Sequence, residues 1–121
     1  MKKLITFMTI LLMSFSTSAE IYTDNGTKWY GPYTIKSVAR YIQGNKVHRV
    51  SILFNEPIDT TCELNNSTRR ATNVSTENIL VDAVYSGALA AQAQNKPVRI
   101  LLTGACSATH GLDLYGIDVV N

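Results

Sequence analysis

The spacing of apolar residues changes along this chain, and each spacing predicts a different element. Leu4 to Phe15 is an almost unbroken apolar run. Tyr33 to Ile42 suits a strand, but Ile35 and Val38 differ in parity, so a bulge or bend is expected there. Gln43-Gly44-Asn45-Lys46 reads as a hairpin turn. Val47 to Phe54 then alternates cleanly, with Val50, Ile52 and Phe54 on one face and Arg49 and Ser51 on the other. His48 falls on the apolar parity and reads as a partly buried strand-end residue. Pro57 ends that strand. Residues 58–75 are rich in Asn, Thr and Ser, and predict one short strand around Cys62 and Leu64 followed by a loop.

Thr76 to Gln94 carries the helical period. Leu80, Val84, Gly87/Ala88 and Ala91 recur at three and four residues, and Ile79, Ala83 and Ala90 widen the stripe. Ser75 or Thr76 can cap the start, and Glu77 sits in the first turn, where negative charge is favourable. Asn95 fits the end, and Pro97 prevents continuation. The small residues on this helix allow close approach to a sheet or to another helix. Val98 to Thr103 reads as a buried strand, Gly104 to Gly111 as a small-residue loop carrying Cys106, and Leu112 to Val120 as a strand with a bulge at Gly116. The order is strand, strand, short strand, helix, strand, strand. It predicts an α+β fold: a small OB-like five-stranded barrel, or a curled antiparallel sheet, packed on one long helix.

The start of the chain changes the setting. Lys2 and Lys3 precede the apolar run, and Ser16-Thr17-Ser18-Ala19 supplies small residues after it. That order predicts a signal peptide over residues 1–19, cleaved near Ala19, because the run is too short to span a bilayer. Residues 20–121 then form a single OB-like domain in a secreted or periplasmic protein with no membrane span. Of the 11 Lys and Arg residues, two belong to the leader, and the remainder balances the 9 Asp and Glu. A near-neutral domain lacks the basic surplus that phosphate backbones require, so no nucleic acid partner is expected. The Arg69-Arg70 pair reads as part of a solvated loop.

Cys62 and Cys106 are the two cysteines of the chain. In an exported domain an even count reads as one disulfide. A metal site with His48 and His110, or a nucleophilic Cys106 beside His110, are the alternatives; the spacing fits no compact zinc motif. No phosphate loop, dinucleotide fingerprint, nucleophile elbow or HExxH helix is present, and neither catalysis, a cofactor nor a metal is expected. Asp113 and Asp118 read as solvent-facing or edge-protecting. A binding role has more behind it. Tyr22, Trp29, Tyr30 and Tyr33 lie among Asp24, Asn25 and Thr27, so aromatic faces could stack on sugar rings while short polar groups bond the hydroxyls. The candidate ligand-binding residues are Asp24, Asn25, Trp29, Tyr30 and Tyr33; core packing of Trp29 and Tyr33 is the competing reading.

Several segments together resemble a known family. They are the aromatic-x-Gly step Trp29-Tyr30-Gly31, the turn with Asn45-Lys46, and the Cys segment Cys62-Glu63-Leu64-Asn65-Asn66-Ser67. After these come the Ala- and Tyr-containing helix running into Pro97-Val98-Arg99-Ile100, and the step Tyr115-Gly116-Ile117. In this order the chain resembles the receptor-binding B subunits of pentameric bacterial toxins, of the subtilase-cytotoxin and pertussis-like kind. The resemblance implies an OB-like fold, a homopentamer around a helix-lined centre, binding of a host cell-surface glycan, and a catalytic A subunit as partner. Three departures stand against it. Tyr30 lies nearest the place where the family has a sialic-acid-contacting serine, so that specificity does not carry over. Ser51 stands where the family's second strand has a cysteine, which leaves Cys106 to pair with Cys62. The stretch between Ile100 and Gly116 is shorter than in the family. A small secreted or periplasmic structural or interaction protein with no sugar ligand is the other reading.

Overall fold

The computed structural model describes residues 27–60, 62, 69–73, 78–107 and 110–121. The expected leader, Asp24 and Asn25, Leu64 and the helix-capping positions 75–77 lie outside these residues. Seven regular elements follow in order: β1 (Lys28–Tyr33), β2 (Ile35–Gln43), β3 (Val47–Phe54), β4 (Arg70–Asn73), α1 (Asn78–Ala93), β5 (Val98–Ser107) and β6 (Gly111–Val119). One mixed six-stranded sheet runs β1-β5-β6-β4-β3-β2, so β1 and β2 form its two ends and the sheet does not close. All neighbours are antiparallel except β4 and β6, which run parallel. The α+β plan is therefore present, with one strand more than the sequence pattern suggests and with a parallel pair in place of a wholly antiparallel sheet.

Two local readings are confirmed in the ladder. Ile35 pairs with Phe54 and Ser37 with Leu53, so Lys36 is the extra residue that reconciles Ile35 and Val38. Leu101 pairs with Gly116 and Leu102 with Leu114, so Tyr115 and Gly116 form the bulge in β6. The β2–β3 turn is a short 3-10 segment, Gly44–Lys46, in which Asn45 and Lys46 take positive φ.

Three elements differ from the expectation. β1 leads up to Tyr33, a stretch where the pattern placed no strand, and contains Gly31 and Pro32. An edge strand tolerates both, and β1 slips register between Tyr30 and Tyr33 to accommodate them. β4 lies at Arg70–Asn73, where the pattern placed a loop, while Leu64 of the expected short strand is outside the described residues; β4 is central although it is polar, because backbone ladders to β3 and β6 hold it. The segment around Cys106 is a strand rather than a loop. Gly104 takes φ +93°, the register slips between Leu102 and Cys106, and Ser107 then pairs with Gly111.

The core occupies one face of the sheet. Val50, Ile52, Phe54, Ala71, Val98, Ile100, Leu102, Leu112 and Leu114 pack there against Val81, Val84, Ala88 and Ala91 of α1. Burying each large aliphatic side chain contributes about 1.5–3 kcal/mol. The buried helix stripe is centred on Val81 and not on Leu80, and Ile79, Ala83 and Ala90 face solvent. The period alone could not separate these sides, because both are apolar. Gly87 brings α1 against β6: a Cβ there would meet Ile117 at 3.2 Å. Asn95, in the left-handed region, ends the helix, and the Lys96 N–H reaches the Ala91 carbonyl in a six-to-one closing bond of 2.9 Å. Arg40 of β2 ties down the other end by donating from Nε and Nη2 to Asp82 Oδ1 at 3.1 and 3.0 Å. Arg40 Nη2 also lies 2.7 Å from His48 Nδ1. A guanidinium only donates, so that nitrogen accepts and the ring proton sits on Nε2.

Candidate functional site

Strand alternation sorts the candidate aromatic residues onto opposite faces. Tyr30 is the register partner of Ile100 and packs on the helix side against the core, with Lys28 Nζ 4.9 Å from its ring centroid. Tyr33 also packs inward. Its ring lies 5.5 Å from that of Phe54, and its hydroxyl oxygen accepts the Asp59 N–H at 3.4 Å. Trp29 is the register partner of Leu101 and turns to the face away from α1. A Cβ placed on Gly116 would lie 3.5 Å from Trp29 Cη2, so the indole reaches across β5 over the bare backbone of the β6 bulge. Trp29 is half-buried and keeps part of its surface open. The structure therefore does not gather Trp29, Tyr30 and Tyr33 into one patch. It seats Tyr30 and Tyr33 with the core and sends Trp29 to the opposite face. Asp24 and Asn25 lie outside the described residues.

The face around Trp29 is polar. Arg99 and Asp118 are register partners across β5 and β6, and Arg99 donates to Asp118 Oδ2 from both Nε and Nη2. Farther along, the Thr103 hydroxyl donates to Asp113 Oδ2 at 2.8 Å. Asp113 is the register partner of Thr72, and Thr72 of Ser51, which makes a row of hydroxyls and one carboxylate across β6, β4 and β3. Arg49 lies on the same face of β3, 8 % exposed, with Nε and Nη1 buried and unpartnered; Thr72 Oγ1 and Asp113 Oδ1 are likewise unpartnered. Asp113 and Asp118 thus do not protect an edge: β6 is internal to the sheet, and both carboxylates are held by neighbours on β5.

Cys62 and Cys106 form a disulfide. Both sulfurs are consumed in it, so neither is available as a metal ligand or nucleophile. The bond pins the segment after β3 to the distal end of β5. Among the described residues no helix is long and apolar enough to cross a membrane.

Sequence reasoning missed the polar row and the unpartnered Arg49. Arg49 and Ser51 are readable as the outer parity of β3, but the strand pairing that sets Thr72 and Asp113 beside them involves residues distant in sequence. Comparison with protein families, with curated proteins and with solved structures finds no match to this chain.

Proposed function

We propose that this chain is an exported, non-catalytic, glycan-binding subunit of the B type, which assembles with copies of itself, as a pentamer, and would carry a catalytic chain to host cells. The observation that carries the reading is the outer side of α1. Ile79, Ala83, Ser86, Leu89, Ala90 and Ala93 are exposed on it, and Asp82 is the single charged residue of the helix. An outward helix face whose one charge, Asp82, is paired with Arg40, and which is otherwise apolar or small, is costly to leave in water and suits burial against another protein surface. Beside it, β2 is a nine-residue sheet end whose Ile42 is 62 % exposed. Unpaired sheet ends with apolar residues favour pairing between chains.

The sugar contact in this reading centres on Trp29, whose half-open ring sits beside the paired Arg99 and Asp118. Asp24 and Asn25, which precede it in the chain, are the polar candidates of the same reading. Tyr30 and Tyr33 support the strand from below. The single helix packed on one mixed sheet is compatible with an OB-type plan. The disulfide is compatible with folding in an oxidising compartment.

Two measurements test the proposal. Light scattering on the non-reduced protein should give five chain masses, and Ala90→Glu should dissociate the particle without unfolding it. A monomer would reject the assembly and favour a small secreted or periplasmic interaction protein. A glycan array should show binding that Trp29→Ala removes. Because Trp29 is the sole tryptophan, a bound sugar should also shift the emission.

A further inference from the structure

A cavity of about 110 Å³ opens on the helix side of the fold, on the other face from Trp29. It lies where three connections meet: Thr34 between β1 and β2, Asn55 after β3, and the turn that follows α1. Ile35 and Ala91 are its apolar lining residues. Asn55, Gln92 and Asn95 bring three carboxamides to it, and Lys96 brings the charge of the lining among the described residues.

The amides are fixed by bonds that use only part of their capacity. The Asn55 N–H and Nδ2 donate to the Thr34 carbonyl and hydroxyl oxygens, at 3.0 and 2.9 Å. The Thr34 hydroxyl in turn donates to Glu56 Oε1 at 2.7 Å, so its proton is committed. Gln92 Nε2 donates to the Lys36 carbonyl at 3.2 Å. The Asn95 and Lys96 N–H groups close the end of the helix on the Gln92 and Ala91 carbonyls, at 3.2 and 2.9 Å. Within the described structure nothing donates to Asn55 Oδ1 or Gln92 Oε1, and nothing engages the Asn95 carboxamide or the Lys96 ammonium. Two acceptors, one amide and one ammonium therefore stand around the cavity on an ordered backbone, which lowers the ordering cost of binding.

This mixture selects the ligand. An apolar group would cover the amide oxygens without replacing their hydration. A phosphate or carboxylate would meet one ammonium, but also two amide oxygens and the negative end of α1. A metal cation would meet the Lys96 ammonium and no carboxylate of the described lining. A hydroxyl both donates and accepts. Two neighbouring hydroxyls would donate to Asn55 Oδ1 and Gln92 Oε1 and accept from Lys96 Nζ and the Asn95 amide. The volume is several times the roughly 10–15 Å³ that one water needs, and well below the about 300 Å³ of sites that enclose a drug-sized molecule. It suits one edge of a single ring. We propose that this cavity binds the vicinal diol of a neutral sugar ring or cyclic polyol. The site shares no residue with the Trp29 contact and stands or falls apart from it.

The test is titration of the disulfide-bonded chain with methyl β-galactoside, methyl α-mannoside, myo-inositol and inorganic phosphate, followed by amide chemical shifts. Saturable shifts are expected at residues 34–35, 55 and 91–96 with a glycoside or with inositol, and none with phosphate. Saturation by a glycoside places the diol on a sugar; saturation by inositol alone places it on a free polyol. Lys96→Ala should weaken binding about tenfold, the equivalent of one hydrogen bond from a charged donor. Asn95→Gly combined with Lys96→Ala should abolish it. The unfolding midpoint of that variant should stay near the wild-type value, because glycine accepts the φ of 51° at position 95 and neither side chain is bonded. Trp29→Ala should leave these shifts unchanged. Absence of saturation by all three polyhydroxyl probes, equal saturation by phosphate, or titrations unchanged in Lys96→Ala would overturn the proposal. Shifts confined to residues 28–30 and 99–101 would overturn it as well, while keeping the sugar contact at Trp29.

Discussion

Replacing Cys62 and Cys106 together by alanine should lower the unfolding free energy by about 2–4 kcal/mol. The upper figure comes from the loop that the bond closes. The cysteines are separated by 44 positions, and the chain-entropy relation for a loop of that length gives about 4 kcal/mol at 25 °C. The lower figure allows for residual structure in the unfolded chain. Cys62 is half-buried against the core and Cys106 is exposed, so loss of sulfur packing adds little at one end and nothing at the other. For a domain of this size the change is a large fraction of the net stability. Urea unfolding followed by Trp29 emission is the assay, comparing the oxidised protein, the double variant and the wild type in reductant. With a slope near 1–1.5 kcal/mol/M, the midpoint should fall by roughly 1.3–4 M. The double variant and the reduced wild type should agree. A loss below about 1 kcal/mol would refute the reasoning. So would an unchanged midpoint with altered signals confined to residues 55–62, since the bond would then tether a segment without constraining the unfolded chain.

Other perturbations address single positions. Gly31→Ala should destabilise by about 2–3 kcal/mol in the same assay, because φ there is +113° and the added Cβ would lie 2.9 Å from the Val98 carbonyl oxygen. Ile52→Ala empties a site with no solvent exposure and should cost about 3–4 kcal/mol, read from the unfolding midpoint. Glu56→Gln should flatten the acid limb of stability. Partial burial raises the Glu56 carboxyl, but donation from the Thr34 hydroxyl, the Thr34 N–H and its own backbone outweighs this and holds its pKa below the ordinary 4.5. A lowered folded-state pKa means stability that is full above that value and lost as the pH falls through the folded one. The difference between wild type and variant should therefore shrink on going below pH 4.5; a constant difference down to strong acid would contradict the assignment.

Local periodicity alone determined much of this protein. The clean alternation of Val50, Ile52 and Phe54 placed β3 and its buried face. The parity break at Ile35 and Val38 located a bulge, Asn95 and Pro97 located the end of α1, and the count of cysteines pointed to the disulfide. These features depend on residues a few positions apart, where backbone preference and side-chain spacing act directly. What the tertiary structure decided depends on strands that meet from distant parts of the chain. β1 survives Gly31 and Pro32 because it lies at the sheet end, and β4 is a strand because β3 and β6 supply its hydrogen bonds. The outward side of α1 was not distinguishable from the inward side, since both are apolar and only contact with the sheet chose Val81 over Ile79. The aromatic cluster near Trp29 likewise reads as one group along the chain. Alternation across a paired strand sends Trp29 to one face and Tyr30 to the other, and the register of β3, β4 and β6 brings Arg49, Thr72 and Asp113 to a shared face. Register is a property of strand pairs, and no single strand's residues contain it.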